Sequence, residues 1–273
     1  MSLIHNIITE RVFDLQELAE ISLSMNGVML QHRGENTFYF WVDEKSTRGV
    51  DVTFEQGYIE IRNTILSNKH DYELTNNVVK ELLAKSKGIL LNADREEISS
   101  FPIFHEDLIN EIELHDGNVV NSLLEAGEDI TIFGPIRKVH FGKNLHANFR
   151  GLHGKELTEQ MFERILAVNY QIPDYEYGNL LQIGNSDKDK KIAKLLTNKS
   201  NCIIDKYDLI LFNTDNDHLI IITNEILNTI LPSSWLLVDE FTIVAPIISQ
   251  KEWTDLLNKA KKFDMWNEFT NNQ

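Results

Sequence analysis

The chain has 273 residues, with 26 lysine and arginine residues against 42 aspartate and glutamate residues, so its formal net charge is −16 with histidine neutral. Apolar residues make up 42% of the chain and charged residues 25%, which is typical of globular proteins and excludes the disordered and fibrous classes. A net charge of this sign repels DNA and anionic lipid, so the composition disfavours a general role in binding nucleic acid or a membrane surface.

The amino-terminal segment and the single cysteine predict a cytoplasmic protein. Residues 1–13 lack the basic region and the unbroken apolar run of a secretory signal. No stretch reaches the roughly 18 consecutive apolar residues that a membrane helix requires. Cys202 cannot form an internal disulfide, and Ile203 and Ile204 beside it predict a buried, inert thiol.

The first half of the chain, residues 1–150, predicts helices mixed with short strands. Asp14 is a suitable N-cap for a helix whose apolar positions are Leu15, Leu18, Ile21 and Met25. Strands at 38–42, 50–54 and 58–61 are so close in sequence that an antiparallel meander is their simplest arrangement. The further elements predicted here are a helix from Asp71 to Gly88, a strand at 89–91, two helices at 104–114 and 119–126, and two short strands at 130–133 and 136–141.

The second half, residues 151–273, predicts the same mixture. Its elements are a helix at 156–168, a strand at 180–183, a helix at 188–196, a strand at 207–212, a segment at 218–231 that begins like a strand and ends like a helix, a strand at 235–245 and a helix at 250–263. We therefore expect an α+β fold with mixed or mainly antiparallel sheets and flanking helices. The two halves form either two domains or one.

Five short motifs recur in the same order in the two halves, with offsets between 144 and 150 residues. The first pair is Arg62-Asn63-Thr64 and Phe212-Asn213-Thr214. This order favours an internal duplication with a junction near residues 150–155. Chance agreement between two ordinary α/β patterns is the alternative.

Charge is distributed unevenly in the first half. Residues 94–129 contain eleven acidic side chains and one basic side chain, whereas residues 130–155 contain five basic side chains and no carboxylate. In one interpretation the two segments neutralise each other, and each exposed ion pair contributes about 0–1 kcal/mol to stability. In the other, the acidic segment faces outward and attracts a basic protein partner. The candidate partner-binding residues are Glu106, Asp107, Glu111, Glu113, Asp116, Glu125, Glu128 and Asp129.

The basic segment 137–154 is also rich in histidine, and this mixture suits the binding of an anion such as a phosphate or a carboxylate. Its histidine spacing fits no standard zinc pair, and it lacks a nucleophile with an oriented carboxylate. A solvated basic loop without a ligand is the alternative. The candidate ligand-binding residues are Arg137, His140, Lys143, His146, Arg150 and His153.

Signatures of catalysis and of metal binding are absent from the sequence. It contains no G-x-S-x-G elbow, no H-E-x-x-H pair and no EF-hand loop. His105, Glu106 and Asp107 predict the first turn of a helix, where carboxylates suit the helix dipole. The segment 215–218 has an ordinary turn composition and is a poor metal site. The sequence therefore predicts no catalytic residue, no metal and no cofactor.

These observations together favour a non-enzymatic acidic protein that binds a basic protein partner, in the manner of an inhibitor or a toxin-immunity protein. One alternative is an enzyme or a small-anion-binding domain that uses residues 137–154. Another is a structural component of a larger assembly.

Overall fold

A computed structural model describes residues 2–184, 190–214 and 219–270 of the chain. It divides into two compact units, Met1–Gln171 and Ile172–Gln273. The division follows Gln171 and not residue 150, because the helix that begins at Gly154 packs against another helix of the first unit. The fold is α+β with mainly antiparallel sheets and flanking helices, which confirms the predicted class.

The first unit contains a six-stranded antiparallel sheet, a two-stranded hairpin, five α-helices and a short π-helix at Ala167–Gln171. Its elements in chain order are β1 (Ser2–Ile8), α1 (Leu15–Leu23), β2 (Val28–His32), β3 (Thr37–Val42), β4 (Val50–Glu55), β5 (Tyr58–Thr64), α2 (Lys69–Ser86), β6 (Ile89–Leu91), α3 (Glu106–Glu125), β7 (Ile130–Phe133), β8 (Lys138–Phe141), α4 (Lys143–Ala147) and α5 (Gly154–Leu166). The strand order of the large sheet is β2-β3-β4-β5-β1-β6. The meander predicted for β3, β4 and β5 is confirmed.

The two faces of the large sheet have different roles. Alternate residues of β3, β4 and β5, such as Phe40, Val52 and Ile61, are fully buried in a core shared with α1 and α2. The intervening residues point to the opposite face, where Asp51 and Arg62 occupy directly opposite positions on β4 and β5. Hydrophobic burial therefore uses one face of the sheet and leaves the other available for polar side chains.

Helix α3 is one continuous helix of 20 residues, so the prediction of two helices at 104–114 and 119–126 is wrong. Gly117 lies in its middle without interrupting it. A Cβ atom at Gly117 would lie 2.1 Å from the backbone oxygen of Gly154, so this glycine permits the close approach of α5. The Thr158 hydroxyl donates a hydrogen bond of 2.7 Å to the backbone oxygen of Glu113 across the same crossing.

The second unit contains two small sheets and three helices among the residues that are described. Its elements in chain order are β9 (Leu180–Ile183), β10 (Lys191–Leu196), β11 (Cys202–Ile204), β12 (Leu209–Asn213), β13 (Leu219–Ile222), α6 (Asn224–Ile230), β14 (Leu236–Leu237), β15 (Ile243–Ala245), α7 (Gln250–Ala260) and α8 (Trp266–Thr270). One sheet has the order β13-β12-β10-β9 and the other β11-β15-β14. The β10–β12 pairing is parallel.

Two predictions in the second unit are wrong. Residues 191–196 were expected to be helical but form strand β10, which lies between β9 and β12. A short apolar segment of this kind fits the periodicity of a helix or of a strand, and pairing with the two neighbouring strands decides the outcome. The strand expected at 235–245 is divided into β14 and β15. Between them the Asp239 carboxylate accepts hydrogen bonds from the amides of Phe241 and Thr242, which closes a turn.

The internal duplication is not confirmed. In the first unit, two of the recurring motifs lie on β5 and β6, which both flank β1 in a single sheet. Their counterparts in the second unit lie on β12 and β14, which belong to different sheets. Cys202 is buried at 8% exposure, as expected, and burial raises the pKa of its thiol. No helix in the described part of the chain is long and apolar enough to cross a membrane.

Candidate functional site: a basic cleft on the sheet face

A cleft of about 850 Å³ lies in the first unit, on the face of the large sheet that is turned away from α2. Strands β2 to β5 and the loops that join them supply part of its lining, and the β7–β8 hairpin supplies the rest. Its charged lining residues are Arg33, Arg48, Asp51, Arg62, Arg137 and Lys138.

The charge of this cleft is opposite to that of the chain. Five cationic side chains and one carboxylate line it, in a protein whose acidic residues outnumber its basic ones by 42 to 26. Within residues 2–184, 190–214 and 219–270, no carboxylate lies within 4 Å of the charged nitrogens of Arg48, Arg62 or Lys138. Five cations brought together from several strands and loops with a single carboxylate create a local positive potential that favours an anion.

Arg48 is held in position by a buried carboxylate behind the sheet. Asp71, at the start of α2, is fully buried. Its Oδ2 accepts hydrogen bonds from the amide of Arg48 at 2.9 Å and from the Thr47 hydroxyl at 2.9 Å, and its Oδ1 accepts one from the amide of Gly49 at 2.8 Å. The Arg48 side chain in turn donates from Nε to the Thr64 hydroxyl at 2.8 Å. Both ends of Arg48 are therefore fixed.

Gly49 is required in this loop on two counts. Its φ is +61°, in the left-handed region that side chains disfavour. A Cβ atom there would also lie 2.5 Å from the backbone oxygen of Phe40 and 2.7 Å from the Tyr39 ring. The loop that presents Arg48 thus lies directly against β3.

A row of polar side chains crosses the sheet at the bottom of the cleft. Gln31, Tyr39, Asp51 and Arg62 are direct neighbours on β2, β3, β4 and β5. The Arg33 guanidinium carbon lies 3.2 Å from the centre of the Tyr39 ring, and its Nη1 lies 3.6 Å from Asp51 Oδ1. Burial raises the pKa of Asp51, while the nearby guanidinium groups of Arg33, Arg62 and Arg48 act in the opposite direction. Asp51 therefore lies closest to Arg33 and is the single carboxylate among the charged residues that line the cleft.

The hairpin side of the cleft is held by Asn169. Its side-chain oxygen accepts hydrogen bonds from the amides of Ile136 and Arg137, both at 2.8 Å, and its backbone oxygen accepts one from Arg137 Nη1 at 3.1 Å. Lys138 Nζ lies 5.4 Å from the centre of the Phe133 ring, a cation–π arrangement. Arg137 is therefore oriented by backbone and side-chain contacts together.

Two nitrogen donors of the lining residues, Arg48 Nη1 and Trp41 Nε1, are buried and have no acceptor among the residues that the structure describes. Burial also lowers the pKa of Arg48, because a guanidinium with little access to water is less well solvated. Buried donors are almost always paired in folded proteins. These two donors are therefore exceptions, and both belong to residues that line the cleft.

Of the six residues predicted to bind a ligand, the structure brings Arg137 into the cleft. His140 follows on β8 but is buried, with its Nδ1 3.0 Å from the Thr131 hydroxyl. The other four lie on α4 or in the segment after it and are exposed or half-buried: Lys143, His146, Arg150 and His153. No group of three metal-ligating side chains occurs among the described residues, and the segment 215–218 lies outside them.

The eight acidic residues predicted to bind a partner divide into two sets. Glu113 and Asp116 are buried, and burial raises the pKa of both carboxyl groups. Glu113 pairs with Lys155 at 3.5 Å, and Asp116 accepts a hydrogen bond of 2.7 Å from the amide of Leu66. The exposed set comprises Glu106, Asp107, Glu111, Glu125, Glu128 and Asp129.

Four charged residues of the cleft were not among those predicted from the sequence: Arg33, Arg48, Asp51 and Arg62. Asp51 and Arg62 do occupy the polar positions of alternating strands, which is a recognisable signal for the exposed face of a sheet. Arg33 and Arg48 lie in loops and have no such signal. Only the folded structure shows that these residues share one cleft with Arg137.

Comparison with known proteins identifies a family to which most of the first unit is similar. A model of the family described as "Domain of unknown function (DUF4299)" matches residues 9–177. Neither the curated proteins nor the solved structures contain a match to the chain. Every charged residue of the cleft falls within the matched range.

Proposed function

The chain belongs to the DUF4299 family. We propose that it binds an anionic small molecule in the basic cleft of its first unit. The observation that carries the proposal is the meeting of five cations with a single carboxylate in a molecule of net charge −16. This function corresponds to the small-anion alternative of the sequence analysis. The site is centred on the sheet face and not on residues 137–154.

The arrangement of the cations supports binding more strongly than their number does. Arg48 and Arg62 are attached to the sheet and hydrogen-bonded to Thr64 and Ser2. The guanidinium nitrogens that do not already donate to Thr64 or Ser2 can donate to phosphate or carboxylate oxygens, and each such charged hydrogen bond contributes about 1.5–3 kcal/mol. Preorganised side chains also lose little conformational entropy when the ligand binds.

A thermal-unfolding titration of the full chain with inorganic phosphate and with sulfate tests the proposal. A ligand at 100 times its Kd stabilises the folded state by about 2.7 kcal/mol, which raises the midpoint by several degrees. Arg62→Gln should weaken binding by roughly tenfold or more. Arg150→Gln is the matched control, because Arg150 is an exposed arginine that does not line the cleft.

Two results would reject the anion site. Wild-type protein that shows no midpoint shift with any of these anions does not contain the proposed site. Equal losses of affinity in the two variants would place the binding outside the cleft, on the exposed basic segment.

We propose as a second candidate the binding of a basic protein partner by the exposed carboxylates of α3 and the turn after it. It is favoured by the exposure of six of the eight predicted residues. Charge reversal of Glu106, Glu111 and Glu125 to lysine should remove a salt-sensitive partner seen by native mass spectrometry of protein purified from its own cells. Reversal of the exposed Glu10, Glu44 and Glu55 is the control. A chain that purifies alone counts against this candidate.

A further inference from the structure

We infer that the anion of the basic cleft is a nucleoside monophosphate, with its phosphate against Arg48 and Arg62 and its base against the aromatic side chains Trp41 and Phe133. The inference rests on the proposed anion site and specifies its ligand. It follows from the size of the cleft, from its exposed aromatic and apolar lining, and from the order of the polar groups across the sheet.

The size of the cleft exceeds the needs of an inorganic anion. Its volume of about 850 Å³ falls in the range of roughly 300–1,000 Å³ that is usual for sites of larger organic ligands. A phosphate or sulfate ion held by two arginines leaves most of this space to water. The remaining space is bounded in part by apolar side chains, among them Trp41, Phe133 and Ile136.

The hairpin side of the cleft exposes large apolar side chains. Phe133 is 56% exposed and Ile136 is 51% exposed, and both line the cleft. On the sheet side Trp41 lines it too, with its ring stacked on Tyr39 at a centroid distance of 5.3 Å. Aromatic side chains next to cations are the combination that nucleotide-binding surfaces use, because a base stacks on the ring while the phosphate meets the cation.

The strand order separates the two ends of the ligand by a suitable distance. Trp41 lies on β3, and Arg62 lies on β5, two strands away. Two strand spacings amount to roughly 10 Å, which is comparable with the length of a nucleoside monophosphate and greater than that of an inorganic anion. The phosphate and the base can therefore reach their respective groups at the same time.

The middle of the row provides polar groups where the ribose would lie. Asp51 is on β4, between Tyr39 and Arg62. A carboxylate in this position is an acceptor for sugar hydroxyl groups, as acidic residues are in dinucleotide-binding folds. This accounts for the presence of one carboxylate in a cleft that is otherwise cationic, where it would only weaken the binding of a simple anion.

Isothermal titration of the full chain with inorganic phosphate, ribose 5-phosphate, the four common nucleoside 5′-monophosphates and uncharged adenosine tests the inference. At least one nucleotide should bind roughly tenfold or more tightly than ribose 5-phosphate. Adenosine should bind much more weakly than its phosphate. Phe133→Ala should reduce nucleotide affinity toward that of ribose 5-phosphate. Phe263→Ala, at an exposed phenylalanine of the second unit, is the control.

The outcomes separate the inference from the proposed function. If inorganic phosphate or ribose 5-phosphate binds as tightly as every nucleotide, the anion site stands and the nucleotide is wrong. If Phe133→Ala leaves nucleotide affinity unchanged, the aromatic contact is refuted. If a single-stranded oligonucleotide binds more tightly than every monomer, the ligand is a nucleic acid and the inference is overturned. If no anion binds, both proposals fail together.

Discussion

Replacing Asp71 by asparagine tests how the loop that carries Arg48 is held. The Asp71 carboxylate accepts four hydrogen bonds in a fully buried position, from the Thr47 hydroxyl and from the amides of Arg48, Gly49 and Asn68. Three of these donors meet Oδ2, and the amide of Gly49 alone meets Oδ1. A carboxylate can serve all four donors because both of its oxygens are acceptors.

Asparagine has nearly the same shape but only one acceptor oxygen. If that oxygen takes the place of Oδ2, the amide nitrogen faces the Gly49 N–H, and two donors oppose each other. One buried unsatisfied donor costs about 1–3 kcal/mol, and the three remaining bonds also lose their charge assistance. We expect Asp71→Asn to reduce the free energy of unfolding by about 2–4 kcal/mol, which a domain with a typical stability of about 5–15 kcal/mol survives.

The assay combines chemical denaturation of the full chain with hydrogen exchange measured by mass spectrometry on peptides that contain residues 46–49. The loop amides should exchange faster in the variant, and anion affinity should fall because Arg48 is no longer held. Asp14→Asn is the control: Asp14 is an exposed N-cap whose carboxylate accepts from the amide of Glu17, and asparagine caps about as well. If Asp71→Asn costs no more than Asp14→Asn, the account of this loop is refuted.

Three further predictions follow from contacts described above. A glycine-to-alanine substitution in an exposed helix stabilises it by about 1 kcal/mol. Gly117→Ala should instead destabilise the protein by several kcal/mol, because the new methyl group would clash with the backbone of Gly154. Thermal unfolding of the variant shows whether the midpoint rises or falls. Burial raises the pKa of Asp51, so the contribution of its protonated carboxyl group to stability is present below the unfolded-state pKa of about 3.8 and is lost as the pH rises through the folded-state pKa. Between about pH 4 and pH 7, the urea midpoint should therefore decrease more in the wild type than in Asp51→Asn. Cys202, with its raised pKa and buried thiol, should react with iodoacetamide far more slowly in the native protein than in urea, and equal rates would contradict its burial.

The parts of the fold that could be predicted are those with strong local signals. Asp14 forms a capping box with Glu17 at the start of α1, as its position before an apolar periodic segment indicates. Gly134-Pro135 separates two strands that do pair as a hairpin. In both cases the information lies within a few residues, so neighbouring elements do not alter the outcome.

The parts that could not be predicted depend on contacts between distant segments. Residues 191–196 form a strand because β9 and β12 flank them, and no local feature of the segment distinguishes this from a helical turn. The cleft is harder to predict, because Arg33, Arg48 and Arg137 come from three separate loops or hairpins and the first and last of them are 104 residues apart. A concentration of like charge in sequence, such as residues 94–129, is visible from composition, whereas one created by folding is not.

The cleft is positively charged whereas the whole chain is negatively charged, and this difference affects how a ligand reaches the cleft. A small anion is first repelled by the surplus of carboxylates and is attracted only within the reach of the arginines. Dissolved salt screens the first effect more than the second, since the screening length is about 8 Å at physiological ionic strength. Raising the ionic strength from a very low value should therefore accelerate association, the reverse of ordinary electrostatic steering, while long polyanions that cannot enter remain excluded.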